Sequence, residues 1–227
     1  MAHAETAAGR RPLALVYRGR ASLPGCPEAV AGLLSRGPWQ FDVRFTGPRE
    51  EFPLSAESLS HASVYAQPGG GTLLPAYLRL RRRRRAIRDF VQAGGRYLGF
   101  CLGGYLAGAT PGFGLLPGDT DQYISTAGAT VRDDGDTLIE VAWRGRPRTL
   151  YFQDGPVFVL DEHADALVLA TYADGSPAAL VAPFGAGRVA VTGPHPEATD
   201  GWYATQGLPV QHTLDLAMDL VEEAMRT

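Results

Sequence analysis

Cys101 lies in a segment whose glycine spacing is typical of a reactive nucleophile. Gly99-Phe100-Cys101-Leu102-Gly103-Gly104 follows an apolar run and precedes a helical pattern, the strand–turn–helix arrangement of a nucleophile elbow. The turn is sharp, and glycines two positions either side of the cysteine avoid a steric collision. A helix N-terminus favours the thiolate, and the N–H of Leu102 would face a developing oxyanion. The alternative is a buried cysteine that only packs.

A nucleophilic cysteine needs a base, and His195 is the best candidate. It lies in Gly193-Pro194-His195-Pro196-Glu197, directly after a predicted strand, where sites form in open α/β sheets. Glu197 could orient the imidazole as the third member of a triad. We expect His3 to lie in a frayed terminus, His61 and His212 to be surface or helix-cap residues, and His163 to lie in a solvated acidic turn rather than a metal site.

Three further segments are candidates for the same site. Gln67-Pro68-Gly69-Gly70-Gly71 follows a predicted strand, and the N–H groups of Gly69, Gly70 and Gly71 could complete an oxyanion hole or form only a flexible turn. Gln153 and Asp154 end another strand and could contact substrate or merely start a turn. Cys26 could line the site, act as a resolving thiol for Cys101, or simply pack.

The composition limits the classes of function. The 227 residues are 45% hydrophobic and 20% charged, as in an ordinary globular protein. All 21 basic residues are arginine, which excludes lysine Schiff bases and Walker lysines. Two cysteines make neither a disulfide scaffold nor a cysteine zinc site. A net charge of −3 argues against a generally basic nucleic-acid binder.

No apolar run approaches the ~20 residues of a membrane helix. The first 12 residues hold no apolar signal core. We therefore expect a cytoplasmic protein with no membrane partner. We also expect the first residues, 1–11, to form a flexible N-terminus.

The order of elements predicts an α/β fold. Apolar runs predict strands over 13–17, 41–45, 62–66, 96–100, 137–143, 148–152, 166–172, 178–181 and 188–192. Helical patterns cover 27–34, 75–92, 102–109 and 212–225. Strand–helix alternation in the first half predicts a parallel sheet, and the second half looks like an antiparallel addition. The helix over 75–92 contains five consecutive arginines, Arg81 to Arg85. We expect a solvated or partner-facing helix rather than nucleic-acid binding, with Arg84 on its inward face.

These motifs together resemble the class I glutamine amidotransferase-like superfamily. The resemblance is strongest to the family named after the N-terminal domain of eukaryotic biotin-protein ligases. It spans about 13–197, and its specific motifs are the cysteine elbow and His195-Pro196-Glu197. The resemblance implies one domain over 1–227. It also implies a flavodoxin-like αβα sandwich, with a mostly parallel central sheet and an antiparallel extension.

The same resemblance implies a Cys101–His195–Glu197 triad, with oxyanion contacts from Leu102 and from Gly69 to Gly71. The expected activity is hydrolysis or transfer of an amide through a thioester, without metal or other cofactor. The substrate would be a small-molecule or peptide amide, and a partner enzyme could accept the ammonia or acyl group. The alternative is a non-hydrolytic binding or partner subunit whose thiol is redox-active or binds a ligand. No ligase domain follows in the sequence, so we do not expect a biotin ligase. The motifs leave the oligomeric state open, a homodimer included.

Overall fold

The computed structural model describes residues 11–226. Its strands are β1 Leu13–Tyr17, β2 Asp42–Thr46, β3 Val64–Gln67, β4 Arg96–Phe100, β5 Gly118–Gln122, β6 Thr137–Trp143, β7 Arg146–Phe152, β8 Pro156–Leu160, β9 Leu167–Thr171, β10 Pro177–Phe184 and β11 Gly187–Thr192. The predictions for His3 and for a flexible N-terminus concern residues outside this range, apart from Arg11. None of the helices within 11–226 has the length and apolar character needed to cross a bilayer.

The helices are α1 Cys26–Arg36, α2 Ala56–Ser60, α3 Leu73–Leu80, α4 Arg84–Gln92, α5 Leu102–Ala107, α6 Asp200–Gln206 and α7 Leu214–Met225. Two short 3₁₀ turns cover Arg81–Arg83 and Tyr123–Ser125.

Nine strands form one mixed sheet in the order β2-β1-β3-β4-β11-β10-β9-β6-β7. The five strands from β2 to β11 run parallel, and the four that follow pair antiparallel. This confirms the predicted α/β fold with a parallel core and an antiparallel extension. Its consequence for a site is that the carboxyl ends of β3, β4 and β11 lie side by side.

The helices cover both faces of this sheet. On one face, α1 and α7 bury residues such as Val30, Leu34 and Leu220 in one apolar cluster. On the other, α3, α4 and α5 bury Leu80 and Leu106 among others in a second cluster. Each such side chain stabilises the fold by about 1.5–3 kcal/mol when fully buried. The two layers therefore hold the loops at the strand ends in fixed positions.

The structure adds one feature that was not predicted and corrects one prediction. No strand was predicted at β5 or β8, yet these two pair as a separate antiparallel ribbon. The predicted helix over 75–92 is not continuous, because the 3₁₀ turn Arg81–Arg83 separates α3 from α4. After this turn, Arg84 and Arg88 both donate hydrogen bonds to the Phe113 carbonyl. The interruption thus places these two side chains on the 113–114 segment.

Candidate functional site

Cys101 occupies a sharp turn between β4 and α5. Its backbone has φ 48° and ψ −102°, a left-handed conformation that costs about 1–3 kcal/mol and is kept only where the surroundings enforce it. Its N–H donates to the Thr192 carbonyl of β11 at 2.9 Å. A Cβ at Gly99 would lie 2.5 Å from the Gly103 carbonyl, and a Cβ at Gly103 would overlap the Gln67 carbonyl. The turn therefore requires both glycines.

His195 lies three residues after β11 and contacts Glu197. Its Nδ1 is 2.8 Å from Glu197 Oε1, and the two residues are only 2% and 6% exposed. The backbone N–H of His195 also donates to the Tyr151 carbonyl at 2.9 Å. This hydrogen bond holds the loop that carries His195 against the end of β7, in the antiparallel half of the sheet.

The surroundings of His195 favour its protonated form. Burial by itself lowers the pKa of this imidazole. The charges of Glu197 and Cys101, with the hydrogen bond to Glu197, outweigh burial and raise the pKa of His195 to about 10. A Cβ at Gly69 would crowd both His195 Cε1 and Cys101 Cβ, so the imidazole that contacts Glu197 also lies beside the cysteine side chain.

The Cys101 thiol contacts the backbone of Gln153. Its Sγ donates to the backbone carbonyl of Gln153 at 3.5 Å, and Cys101 is only 6% exposed. Gln153 thus reaches the sulfur through its main chain. The next residue, Asp154, accepts hydrogen bonds from the Gln122 side chain at 2.9 and 3.0 Å.

The glycine loop after β3 packs against the cysteine and the histidine. A Cβ at Gly69 would lie 2.7 Å from His195 Cε1 and 3.3 Å from Cys101 Cβ. Gly70 and Gly71 have φ values of 89° and 92°, which side chains rarely permit. Leu102 is the first residue of α5, so its N–H has no partner within the helix. Gly69 therefore borders the Cys101 side chain and Leu102 directly follows it, whereas a Cβ at Gly70 would meet Leu23.

Cys26 is the first residue of α1 and is buried. Burial, with the charges of Glu197 and Cys101, raises the pKa of the Cys26 thiol to about 12. Both cysteines are free thiols. Because its pKa is raised, the Cys26 thiol stays protonated near neutral pH and is a poor nucleophile.

The structure adds aromatic residues that the sequence analysis missed. The rings of Tyr151 and Trp202 meet the imidazole of His195 edge-on, with centroids 6.0 and 5.3 Å away. Tyr105 lies one helical turn after Cys101, and its spacing of four residues could have indicated it. Tyr151 reaches His195 through packing between segments that are distant in sequence, and Trp202 reaches it from α6, seven residues further along the chain.

The other histidines lie apart from this cluster. His61 caps the C-terminus of α2, and His163 and His212 are exposed. Across residues 11–226, no group of three or more His, Cys, Asp or Glu side chains could hold a metal ion.

Comparison with known proteins places this geometry in context. Residues 54–119 match the family described as biotin-protein ligase, N terminal. Imidazole glycerol phosphate synthase subunit HisH of Trichormus variabilis is 29% identical over 110 residues, which is 45% of this chain and 51% of that protein. The biotin–protein ligase of Schizosaccharomyces pombe is 29% identical over 151 residues, or 56% of this chain and 23% of the ligase. The chain thus spans about half of the first relative and a quarter of the second.

A solved structure shows the same fold. A glutamine amidotransferase crystal structure superposes with a TM-score of 0.62 at 18% identity, covering 90% of this chain and 98% of that one. The chain therefore has a class I glutamine amidotransferase-like fold, with a relation to the biotin-protein ligase N-terminal family. Both parts of the resemblance are confirmed.

Proposed function

We propose that this chain is a cysteine-dependent amide hydrolase or amidotransferase with Cys101, His195 and Glu197 as its catalytic triad. One observation carries the proposal: a buried imidazole contacts Glu197 through one nitrogen and lies beside Cys101 at an elbow. A thiol, a base and an orienting carboxylate in this order form the minimum set for nucleophilic acyl transfer.

The chemistry would proceed in two steps. The Cys101 thiolate attacks the amide carbonyl carbon, and the resulting oxyanion accepts hydrogen bonds from the N–H groups of Leu102, Gly70 and Gly71. The imidazolium of His195 protonates the leaving nitrogen as the C–N bond breaks, which leaves a thioester. Water or an amine then attacks the thioester and gives its proton to His195, and the Cys101 thiolate leaves.

The setting of the reaction is part of the proposal. We infer one domain over 1–227 acting in the cytoplasm, on a small-molecule or peptide amide, with a partner enzyme that receives the ammonia or acyl group. The similarity to a synthase subunit supports the partner. No step of this chemistry calls for a cofactor.

A non-hydrolytic binding subunit is the second candidate. Cys101 is 6% exposed and its thiol is bonded to the Gln153 carbonyl, which is compatible with a thiol that does not turn over. A binding subunit would hold an amide ligand without cleaving it.

The test is ammonia release from a panel of primary amides. We expect release that Cys101→Ala abolishes and that His195→Gln lowers roughly 10⁴-fold or more, as for other triads. His163→Gln is the matched control, because His163 is exposed between β8 and β9, and it should leave the rate unchanged. Amide binding by calorimetry with no release from any amide would favour the binding subunit instead.

A further inference from the structure

Three acidic or neutral side chains, those of Gln122, Asp154 and Tyr105, form what we call the wall beside Cys101. Asp154 directly follows Gln153, whose carbonyl contacts the sulfur. Asp154 has φ 46°, a left-handed conformation that is costly for a residue with a side chain. The Gln122 amide holds its carboxylate, and Ser125 donates to Gln122 Oε1 at 2.7 Å. The Ser125 contact turns the NH₂ group of Gln122 towards Asp154, so this carboxylate is held in one orientation.

No cation neutralises this carboxylate in the part of the chain that the structure describes. Burial raises the pKa of Asp154, the Gln122 hydrogen bond lowers it in part, and the charge of Asp134 raises it again. The side-chain partner of Asp154 is the neutral Gln122 amide, which leaves the charge of the carboxylate uncompensated.

Tyr105 brings a hydroxyl to the same wall. Its oxygen is buried and has no hydrogen-bond partner. Tyr105 lies one helical turn after Cys101, and its N–H donates to the Cys101 carbonyl at 3.0 Å. Burial and the charges of Asp154, Cys101 and Asp121 raise the pKa of Tyr105. A buried hydroxyl without a partner costs about 1–3 kcal/mol, and a polar ligand group would recover that cost.

We propose that the substrate is an amide bearing an ammonium group and no carboxylate near it, with Asp154 binding the ammonium and the Tyr105 hydroxyl completing its contacts. This inference rests on the proposed function and names its substrate class. A free amino-acid amide with an α-carboxylate would bring a second negative charge close to the uncompensated Asp154 carboxylate, and would be disfavoured. Asp154 and Tyr105 are thus specificity-determining residues.

Three matched amides test the charge preference. 4-Aminobutanamide carries only the ammonium, glutaramic acid only the carboxylate, and glutamine both. We expect kcat/KM to be highest for 4-aminobutanamide and lowest for glutaramic acid, with steps of about 10- to 100-fold for a charge-assisted contact. Asp154→Asn should remove the preference, and Tyr105→Phe should lower kcat/KM for 4-aminobutanamide. Asp165→Asn, an exposed acid on another loop, should retain the preference. Equal rates, or a preference for glutaramic acid, would overturn the inference.

A second measurement does not depend on turnover. Methanethiosulfonate reagents react with a thiolate to form a mixed disulfide and release methanesulfinate. The 2-aminoethyl reagent is a cation and the 2-sulfonatoethyl reagent an anion. Their rates at Cys101 are followed by peptide mass spectrometry and divided by their rates with a free small thiol.

The outcomes separate the two claims. We expect the cation to react at least about tenfold faster than the anion, and Asp154→Asn to abolish the ratio. That result without ammonia release would contradict the proposed hydrolase but support the charged wall. An anion as fast as the cation in the unmodified chain contradicts the charged wall, even if Asp154→Asn does not fold.

Discussion

At the scale of single residues, the proposed chemistry depends on the protonation of His195. Its imidazole is almost fully buried, where a lone cation would be disfavoured. The Glu197 carboxylate at 2.8 Å reverses that preference. The contact between His195 and Glu197, which would orient the base, therefore also makes a pH-dependent contribution to the stability of the fold.

The raised pKa of His195 predicts the direction of that variation. A group whose pKa rises on folding, here from 6.5 to about 10, stabilises the folded protein fully below pH 6.5. The contribution is lost as pH rises towards 10. We expect the difference in free energy of unfolding between the unmodified chain and His195→Gln to shrink between pH 6.5 and 9.5 in urea titrations. A difference that grows over this range would contradict the assignment.

At the residue scale, the sequence indicates candidate site residues only where the signal is local. Cys101 with its two glycines, and His195 with Glu197, each lie within a short segment, so spacing alone could indicate them. Gln153 contacts Cys101 through a backbone carbonyl, and no side-chain pattern encodes that contact. Tyr151 and Trp202 approach His195 from separate elements, which only the packed structure brings together.

At the scale of elements, the elbow between β4 and α5 is the most tightly constrained. A Cβ at Gly103 would overlap the Gln67 backbone carbonyl of β3, and a backbone atom cannot move aside cheaply. We expect Gly103→Ala to destabilise the fold by about 1–3 kcal/mol or more, measured by urea unfolding.

Gly32 within α1 is the matched control for that substitution. A Cβ there meets nothing within 4 Å, so Gly32→Ala should stabilise the fold by about 0.5–1 kcal/mol through helix propensity. Equal effects at Gly32 and Gly103 would show that the crowding at the elbow is absent.

The arginine-rich segment divides into structural and exposed side chains. Arg88 donates to the Phe113 carbonyl at 2.9 Å, also bonds the Gly114 carbonyl, and lies 4.8 Å from the Phe184 ring centroid. Arg82 is exposed. We expect Arg88→Ala to destabilise by about 1–3 kcal/mol, against less than about 0.5 kcal/mol for Arg82→Ala. Thermal unfolding of both variants checks this, and similar losses would contradict the division.

Element prediction failed where tertiary contacts override local pattern. Periodicity favoured one helix over 75–92, but a 3₁₀ turn interrupts it before Arg84, and the long-range contacts of Arg84 and Arg88 with the Phe113 carbonyl carry no local sequence signal. In the ribbon, β5, Gly118–Gln122, contains Asp119 and Asp121 and has no apolar alternation, whereas β8, Pro156–Leu160, is an apolar run that the sequence-based prediction overlooked. The parallel strands were predicted well, because buried strands are continuous apolar runs.

At the scale of the whole molecule, the candidate site joins both halves of the sheet. The parallel half supplies Cys101, the glycine loop and His195, while the antiparallel half supplies Gln153 and Asp154. Fold class could be predicted from the order of elements. The position where the two halves of the sheet meet at the site could not be predicted, because it depends on the β-bridge between Tyr151 and His195.

The charge distribution of the whole chain predicts weak nucleic-acid binding. The net charge is −3, and Arg84 and Arg88 are engaged with backbone carbonyls. We expect no change in the fluorescence anisotropy of a labelled oligonucleotide at 150 mM salt. Tight binding that weakens steeply with salt would instead make the arginine-rich segment a nucleic-acid site.

The most direct measurement is the alkylation of the two cysteines by iodoacetamide between pH 6 and 9, resolved by mass spectrometry. A base bonded to Glu197 should activate Cys101, whereas the pKa of Cys26 near 12 leaves that thiol protonated. We expect Cys101 to react more than about tenfold faster than Cys26 at pH 7, and we expect His195→Gln to remove most of this advantage while His163→Gln retains it. Equal rates at the two cysteines, or a Cys101 rate that is unchanged by His195→Gln, would contradict the proposed triad.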